Sequence, residues 1–198
     1  MKSEFMKYAY FNKEIVEFEK ATVSIATHSL QYGTTCFGGI RGYYRNGKVS
    51  IFRLKDHYLR LMNASKMLGF DFYIDWEKFR SIVSELVEKN NIKQNFYMRP
   101  FIFCNQPRIS PKKEGLTFDL AIYILPMEDY VSSDNGGIKF MSSTYRKYGD
   151  SSIPTKAKAG GSYINSFLAT SDAQRNGYDE ALMFDYAGNV VEASVANL

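Results

Sequence analysis

The chain has 198 residues, 45% of them hydrophobic and 23% charged, which describes a globular protein long enough for a real core in one large domain or two small ones. Its net charge of +4 comes from basic residues that are scattered rather than clustered. That excludes a nucleic-acid stripe and suits an anionic small molecule held by a few placed cations.

The opening stretch YAYFNKEIVEF predicts a hairpin turning at Asn12-Lys13. A clearer hairpin follows in GIRGYYRNGKVSIF, where Asn46-Gly47 separates two β-rich arms. The pattern then changes to a helical period in LKDHYLRLMNASKMLGF, with Leu54, Tyr58, Leu61 and Ala64-Ser65 on one face and Gly69 as the stop. A second helix is predicted in DWEKFRSIVSELVEKNN, with Asp75 as N-cap and Phe79, Ile82, Val83, Leu86 and Val87 as its apolar stripe. Two strands come next, NFYMRPFIFC and LTFDLAIYIL. Alternation in the first sets Tyr97, Arg99 and Phe101 on one face and Met98, Pro100 and Ile102 on the other. The polar segment from Pro126 to Gly137 reads as a linker. Beyond it the pattern predicts a strand in IKFMSS, a helix over about Tyr163–Arg175 stopped by Gly177, and a hairpin in EALMFDYAGNVVEAS. Hairpins interspersed with helices, without regular βαβα alternation, indicate an α+β fold with largely antiparallel sheets. The expected organisation is a small N-terminal α/β domain over residues 1–125, a linker over 126–137, and the first part of a larger β-rich domain over 138–198.

No apolar run approaches the roughly 18 residues of a membrane span, and the N-terminus lacks the apolar core and cleavage site of a secretion signal. Cys36 and Cys104 stand in no CxxC or metal-ligand spacing, and no ligand cluster accompanies the two histidines, His28 and His57. A soluble cytoplasmic protein with free thiols is expected, without metal, nucleic acid or membrane.

In PTKAKAGGSYINS two lysines, Lys156 and Lys158, sit one residue apart among Ala and Gly. A nucleophilic lysine must lose its proton part of the time, through desolvation or a neighbouring positive charge, and it needs room for the carbonyl it attacks. Ala159, Gly160 and Gly161 leave that room beside Lys158, and in an extended stretch Lys156 stands on the same side. A solvated loop lysine has the same spacing, so the motif alone leaves both readings open. In GNVVEASVANL, Glu192 is the one charged residue. An acid there is either exposed or paired with a proton donor or cation, and a pyridinium nitrogen is one suitable partner.

Together, Lys158 in KAGGSY, Glu192 in EASVANL, Arg60 in DHYLRL and the run HSLQYGTTCFGGIR resemble the class IV (fold type IV) pyridoxal-phosphate aminotransferases, and within them the branched-chain amino acid aminotransferases. The resemblance runs from about Phe11 to the last residue, in order and with compatible spacing. It implies a two-domain architecture, a complete small domain followed by an incomplete cofactor domain, with pyridoxal 5'-phosphate as cofactor. It also implies a homodimer, and transfer of an amino group from a branched-chain L-amino acid to 2-oxoglutarate. Lys158 would hold the cofactor as a Schiff base and move a proton between substrate Cα and cofactor C4′. Tyr163 would hydrogen-bond the phenolic oxygen, Glu192 would face the pyridine nitrogen, and Arg60 would hold the phosphate. Asn197 matches an asparagine of the family's closing motif, a support and not a reactant.

On the substrate side the resemblance assigns Tyr32, Phe37, Tyr97 and Arg99, in YGTTCF and YMRP, to an apolar side-chain pocket with carboxylate recognition. Arg41 lies in GGIR where relatives carry FEGIR, so Gly38 removes an acid and its pairing. His28 and His57 are expected as supporting or capping groups. Relatives continue well beyond Leu198, which implies a C-terminally truncated chain, either a fragment or a natural short form. A D-amino-acid aminotransferase or an aminodeoxychorismate lyase shares the fold and cofactor. The reading from another class is a non-catalytic truncated chain with an exposed sheet edge.

Overall fold

The structure, a computed structural model, describes residues 5–127 and 137–198. They fall into two units, one of residues 5–127 with Ala157–Gly160 and the other of residues 137–156 with 161–198. Apart from its ends, the expected linker lies outside the described residues.

In the first unit, β1 (Tyr8–Phe11) and β2 (Glu14–Glu17) form the predicted hairpin. Its turn puts Asn12 and Lys13 at φ 51° and 67°, the left-handed pair that a tight two-residue connection needs. A short helix α1 (His28–Tyr32) leads to β3 (Thr35–Phe37), and β4 (Ile40–Arg45) and β5 (Lys48–Ile51) form the Asn46-Gly47 hairpin. Helices α2 (Leu54–Met67) and α3 (Trp76–Lys89) follow, then β6 (Phe96–Phe103) and β7 (Asp119–Pro126). The sheet order is β2-β1-β7-β6-β4-β5, with β3 also on β6, and every pairing is antiparallel.

Both long helices bury the faces that their periodicity predicts. α2 buries Tyr58, Leu61, Ala64 and Ser65, and α3 buries Phe79, Ile82, Val83 and Leu86 with Val87 partly covered. The Asp75 carboxylate accepts the Lys78 backbone N–H at 2.8 Å and so caps α3. These faces share one core with Phe96, Met98 and Ile102 of β6 and Leu120, Ile122 and Ile124 of β7. β6 therefore gives one face to that core and turns Tyr97, Arg99 and Phe101, all half-buried, the other way.

The second unit holds β8 (Phe140–Arg146), α4 (Tyr163–Arg175), β9 (Glu180–Phe184) and β10 (Val190–Ala193), in the sheet order β10-β9-β8. β9 and β10 form the expected antiparallel hairpin. β8 and β9, however, are parallel, the exception in an otherwise antiparallel set of pairings. The reason is the connection: the chain passes through α4 between the two strands and so re-enters the sheet in the same direction. Ala169 and Ala173 of α4 are fully buried against Ala181 and Met183 of β9, where small side chains allow close helix–sheet approach. Among the described residues no helix is long and apolar enough to cross a membrane.

Candidate active site

Residues Ala157–Gly160 return to the first unit and dock on β3. Ala159 bridges to Cys36, and the Phe37 N–H donates to the Lys158 carbonyl at 3.0 Å. Ala157 and Ala159 are buried there, and Gly160 lies so close to β3 that a Cβ would overlap the Thr35 γ-methyl. This docking separates the two lysines physically: Lys158 is half-buried and Lys156 is exposed. The charge of Lys156 falls instead on Asp150, whose carboxyl is held below its usual range chiefly by hydrogen bonds from Thr155.

Four of the predicted residues come together in the first unit. The Lys158 Nζ lies 5.5 Å from the Phe37 ring centroid, and the Arg99 guanidinium lies 4.2 Å from it. Arg99 also donates from Nε to the Tyr97 hydroxyl at 2.9 Å. Gly39 passes against that hydroxyl so closely that a side chain there would strike it. Two cations beside two aromatic rings make a surface that attracts a carboxylate while offering apolar walls. Gly38 is buried, and a Cβ there would stand 3.2 Å from Pro100 Cγ.

Arg60 and Tyr32 stand outside this cluster. Arg60 projects from α2, exposed, and donates to His57 Nδ1 at 3.1 Å. Burial first and the Arg60 charge second hold the His57 imidazole below its usual range, so that it stays neutral and able to accept this hydrogen bond. Tyr32 ends α1 with its ring 4.6 Å from that of His28, which is fully buried. His28 Nε2 donates to the Ser110 carbonyl at 2.8 Å, leaving Nδ1 to accept from the Thr34 hydroxyl at 2.8 Å. It ties α1 to the loop carrying Ser110.

The second unit holds the other two, Tyr163 at the start of α4 and Glu192 on β10. Opposite β9, the register slips between Val190 and Glu192, a bulge of the kind that re-aims a side chain. Just beyond Glu192, the Ser194 hydroxyl donates to the buried Glu180 carboxylate and lies 2.5 Å from the Thr170 hydroxyl, which pins the strand end. Glu192 is paired: its Oε1 lies 2.5 Å from the Lys147 Nζ. Lys147 was absent from the sequence expectations, since its only sign is a basic residue after a strand. The pair borders a cavity of about 470 Å³, also lined by Tyr148, Thr155, Asp185 and Tyr186. Among the described residues no group of three or more His, Cys, Asp or Glu side chains could hold a metal ion.

Residues 35–198 match the amino-transferase class IV family. A probable branched-chain-amino-acid aminotransferase of Synechocystis is 36% identical over 98% of this chain and 64% of its own length. The crystal structure of the Thermoproteus uzoniensis branched-chain aminotransferase with norvaline superposes with a TM-score of 0.91 at 35% identity, covering 96% of this chain and 63% of that one. That of the Thermobaculum terrenum branched-chain amino acid aminotransferase, in its pyridoxal-phosphate form, gives 0.87 at 28% identity over 97% and 63%. The chain belongs to the class IV aminotransferases and has their fold type IV architecture. It spans 64% of the length of the Synechocystis relative.

Proposed function

We propose that the protein carrying this chain is a pyridoxal-phosphate-dependent aminotransferase that moves the amino group of a branched-chain L-amino acid to 2-oxoglutarate. The observation that carries the reading is the half-burial of Lys158 among small residues beside Phe37 and Arg99, with Lys156 left in solvent. The residues fit the cofactor: Gly160 lets the 157–160 segment dock closely on β3 and so sets the Lys158 amine beside Phe37 and Arg99, and Glu192 is a carboxylate suited to a ring nitrogen. When bound, pyridoxal phosphate supplies an aldehyde that condenses with amines and a protonated ring that drains electrons from Cα.

Each residue then has one task. Lys158 would hold the cofactor through its amine and move the proton at substrate Cα. Arg60 binds the phosphate, oriented by the His57 ring. Tyr163 hydrogen-bonds the phenolic oxygen and Glu192 keeps the proton on the ring nitrogen. Phe37 and Tyr97 wall the apolar side chain, Arg99, steadied by Tyr97, orients a carboxylate, and Tyr32, which stands apart from that cluster against His28, would border the pocket only from the end of α1. Residues 1–125 form the small domain, 126–137 the linker and 138–198 part of the cofactor domain, a division that the two units support.

The same proposal includes a homodimer in the cytoplasm. Exposure of Val23, Ile25, Leu30, Tyr32 and Ile109 in the first unit supports a covered surface there. The free, buried thiols of Cys36 and Cys104 suit a reducing compartment. The test is covalent loading of the full-length protein with pyridoxal 5'-phosphate, trapped by borohydride and read by mass. Lys156→Ala is expected to load and Lys158→Ala to fail. The reverse overturns the assignment, and a panel of L- and D-amino acids then checks the substrate.

A further inference from the structure

The geometry points to Lys147 as a positioning residue that fixes the Glu192 carboxylate for the cofactor's ring nitrogen, an inference that rests on the cofactor reading above. Glu192 is on β10 and Lys147 directly follows β8, with β9 between them. Two strand spacings amount to roughly 10 Å, a gap that an extended lysine and a glutamate close between them. The Lys147 backbone anchors the reach, since its N–H donates to the Phe184 carbonyl of β9 at 2.8 Å. Its ammonium then lies 4.9 Å from the Tyr148 ring centroid and 2.5 Å from Glu192 Oε1.

Lys147 is not a passing surface partner. Its side chain is only 14% exposed and that of Glu192 33%, whereas the other ion pairs among the described residues each have at least one side chain more than half exposed. A sheltered ammonium cannot release its counter-ion cheaply, so Glu192 keeps Lys147 as a neighbour. A carboxylate nevertheless has acceptor sites for further donors. With Oε1 committed to Lys147, the group is held against rotation and Oε2 remains for a second N–H. The bulge before Glu192 and the Ser194–Glu180 bond after it hold the backbone, and Lys147 holds the side chain.

The test measures dissociation constants of the full-length protein for pyridoxal 5'-phosphate and for its 1-deaza analogue, in which a C–H replaces the ring nitrogen. Lys147→Met is expected to weaken pyridoxal 5'-phosphate binding about tenfold, the scale of one charge-assisted hydrogen bond. Lys147→Arg should restore most of it. Neither the deaza analogue nor the Glu192→Gln background should respond to the loss of Lys147. Equal weakening for both probes means a general structural role, and unchanged or tighter binding of pyridoxal 5'-phosphate means none. Either result overturns the role of Lys147 while leaving the cofactor reading intact. If the wild-type protein binds neither probe, the cofactor reading itself falls and takes this inference with it. Should Lys147→Met fail to fold, Lys147→Gln carries the same comparison.

Discussion

Gly160→Ala is a sharp probe of the docking that sets Lys158 in place. A Cβ at Gly160 would overlap the γ-methyl of Thr35. Thr35 cannot turn aside freely, because it is β-branched and its hydroxyl donates to the Ile102 carbonyl at 2.9 Å. β3 cannot move either, since Thr35, Cys36 and Phe37 are in register with Phe103, Ile102 and Phe101 of β6. The added methyl must break the Thr35 bond or push back the 157–160 segment, and overpacking of this kind costs about 1–3 kcal/mol. For a chain of this size that is a fall in Tm of roughly 2–4 °C per kcal/mol. Urea and thermal unfolding of Gly160→Ala, Thr35→Ser and the double variant measure it. Thr35→Ser keeps the hydroxyl and removes the obstructing methyl, so the double variant should regain most of the loss. A neutral Gly160→Ala, or strictly additive losses in the double variant, would refute the close-contact argument.

Two further outcomes follow from single residues. His57 has its folded pKa depressed below the ordinary 6.5, by burial first and Arg60 second. The unfolded chain therefore takes up its proton first, and the stability present above that value is lost as pH falls through it towards the depressed one. Denaturation of His57→Asn between about pH 7 and 5 should show a shallower loss than the wild type, and an equal slope would sink the linkage. Cys36 is fully buried, and burial pushes its thiol up to about 12. Iodoacetamide, which attacks the thiolate, should spare it in the native protein and label it after denaturation, as peptide mass mapping would read. Rapid native labelling would contradict its burial.

Local pattern carried much of the fold. The stripe and N-cap of α3, the Asn46-Gly47 turn and the alternation along β6 depend on neighbours within a few residues, so each is legible without knowing the rest of the chain. α1 and β3, at five and three residues, are too short to show a period and take their form from β6 and the Ser110 loop. The parallel pairing of β8 with β9 was equally hidden, because strand direction depends on the route through α4 and not on the composition of either strand.

The candidate site divides along the same line. The lysine motif, Arg60 and Glu192 could be picked out by type and spacing through their likeness to a family, while the sequence left Glu192 either exposed or paired. Spacing left Lys156 and Lys158 alike, and it is the packing of Ala157–Gly160 on β3 that half-buries one and leaves the other in water. Nor could composition name Lys147 as the cation at Glu192, since 44 residues and an intervening strand lie between the two positions. Residue type and short-range order state which chemistry is available. Which groups meet depends on strand order and docking, because contacts across a sheet join residues that the chain keeps far apart.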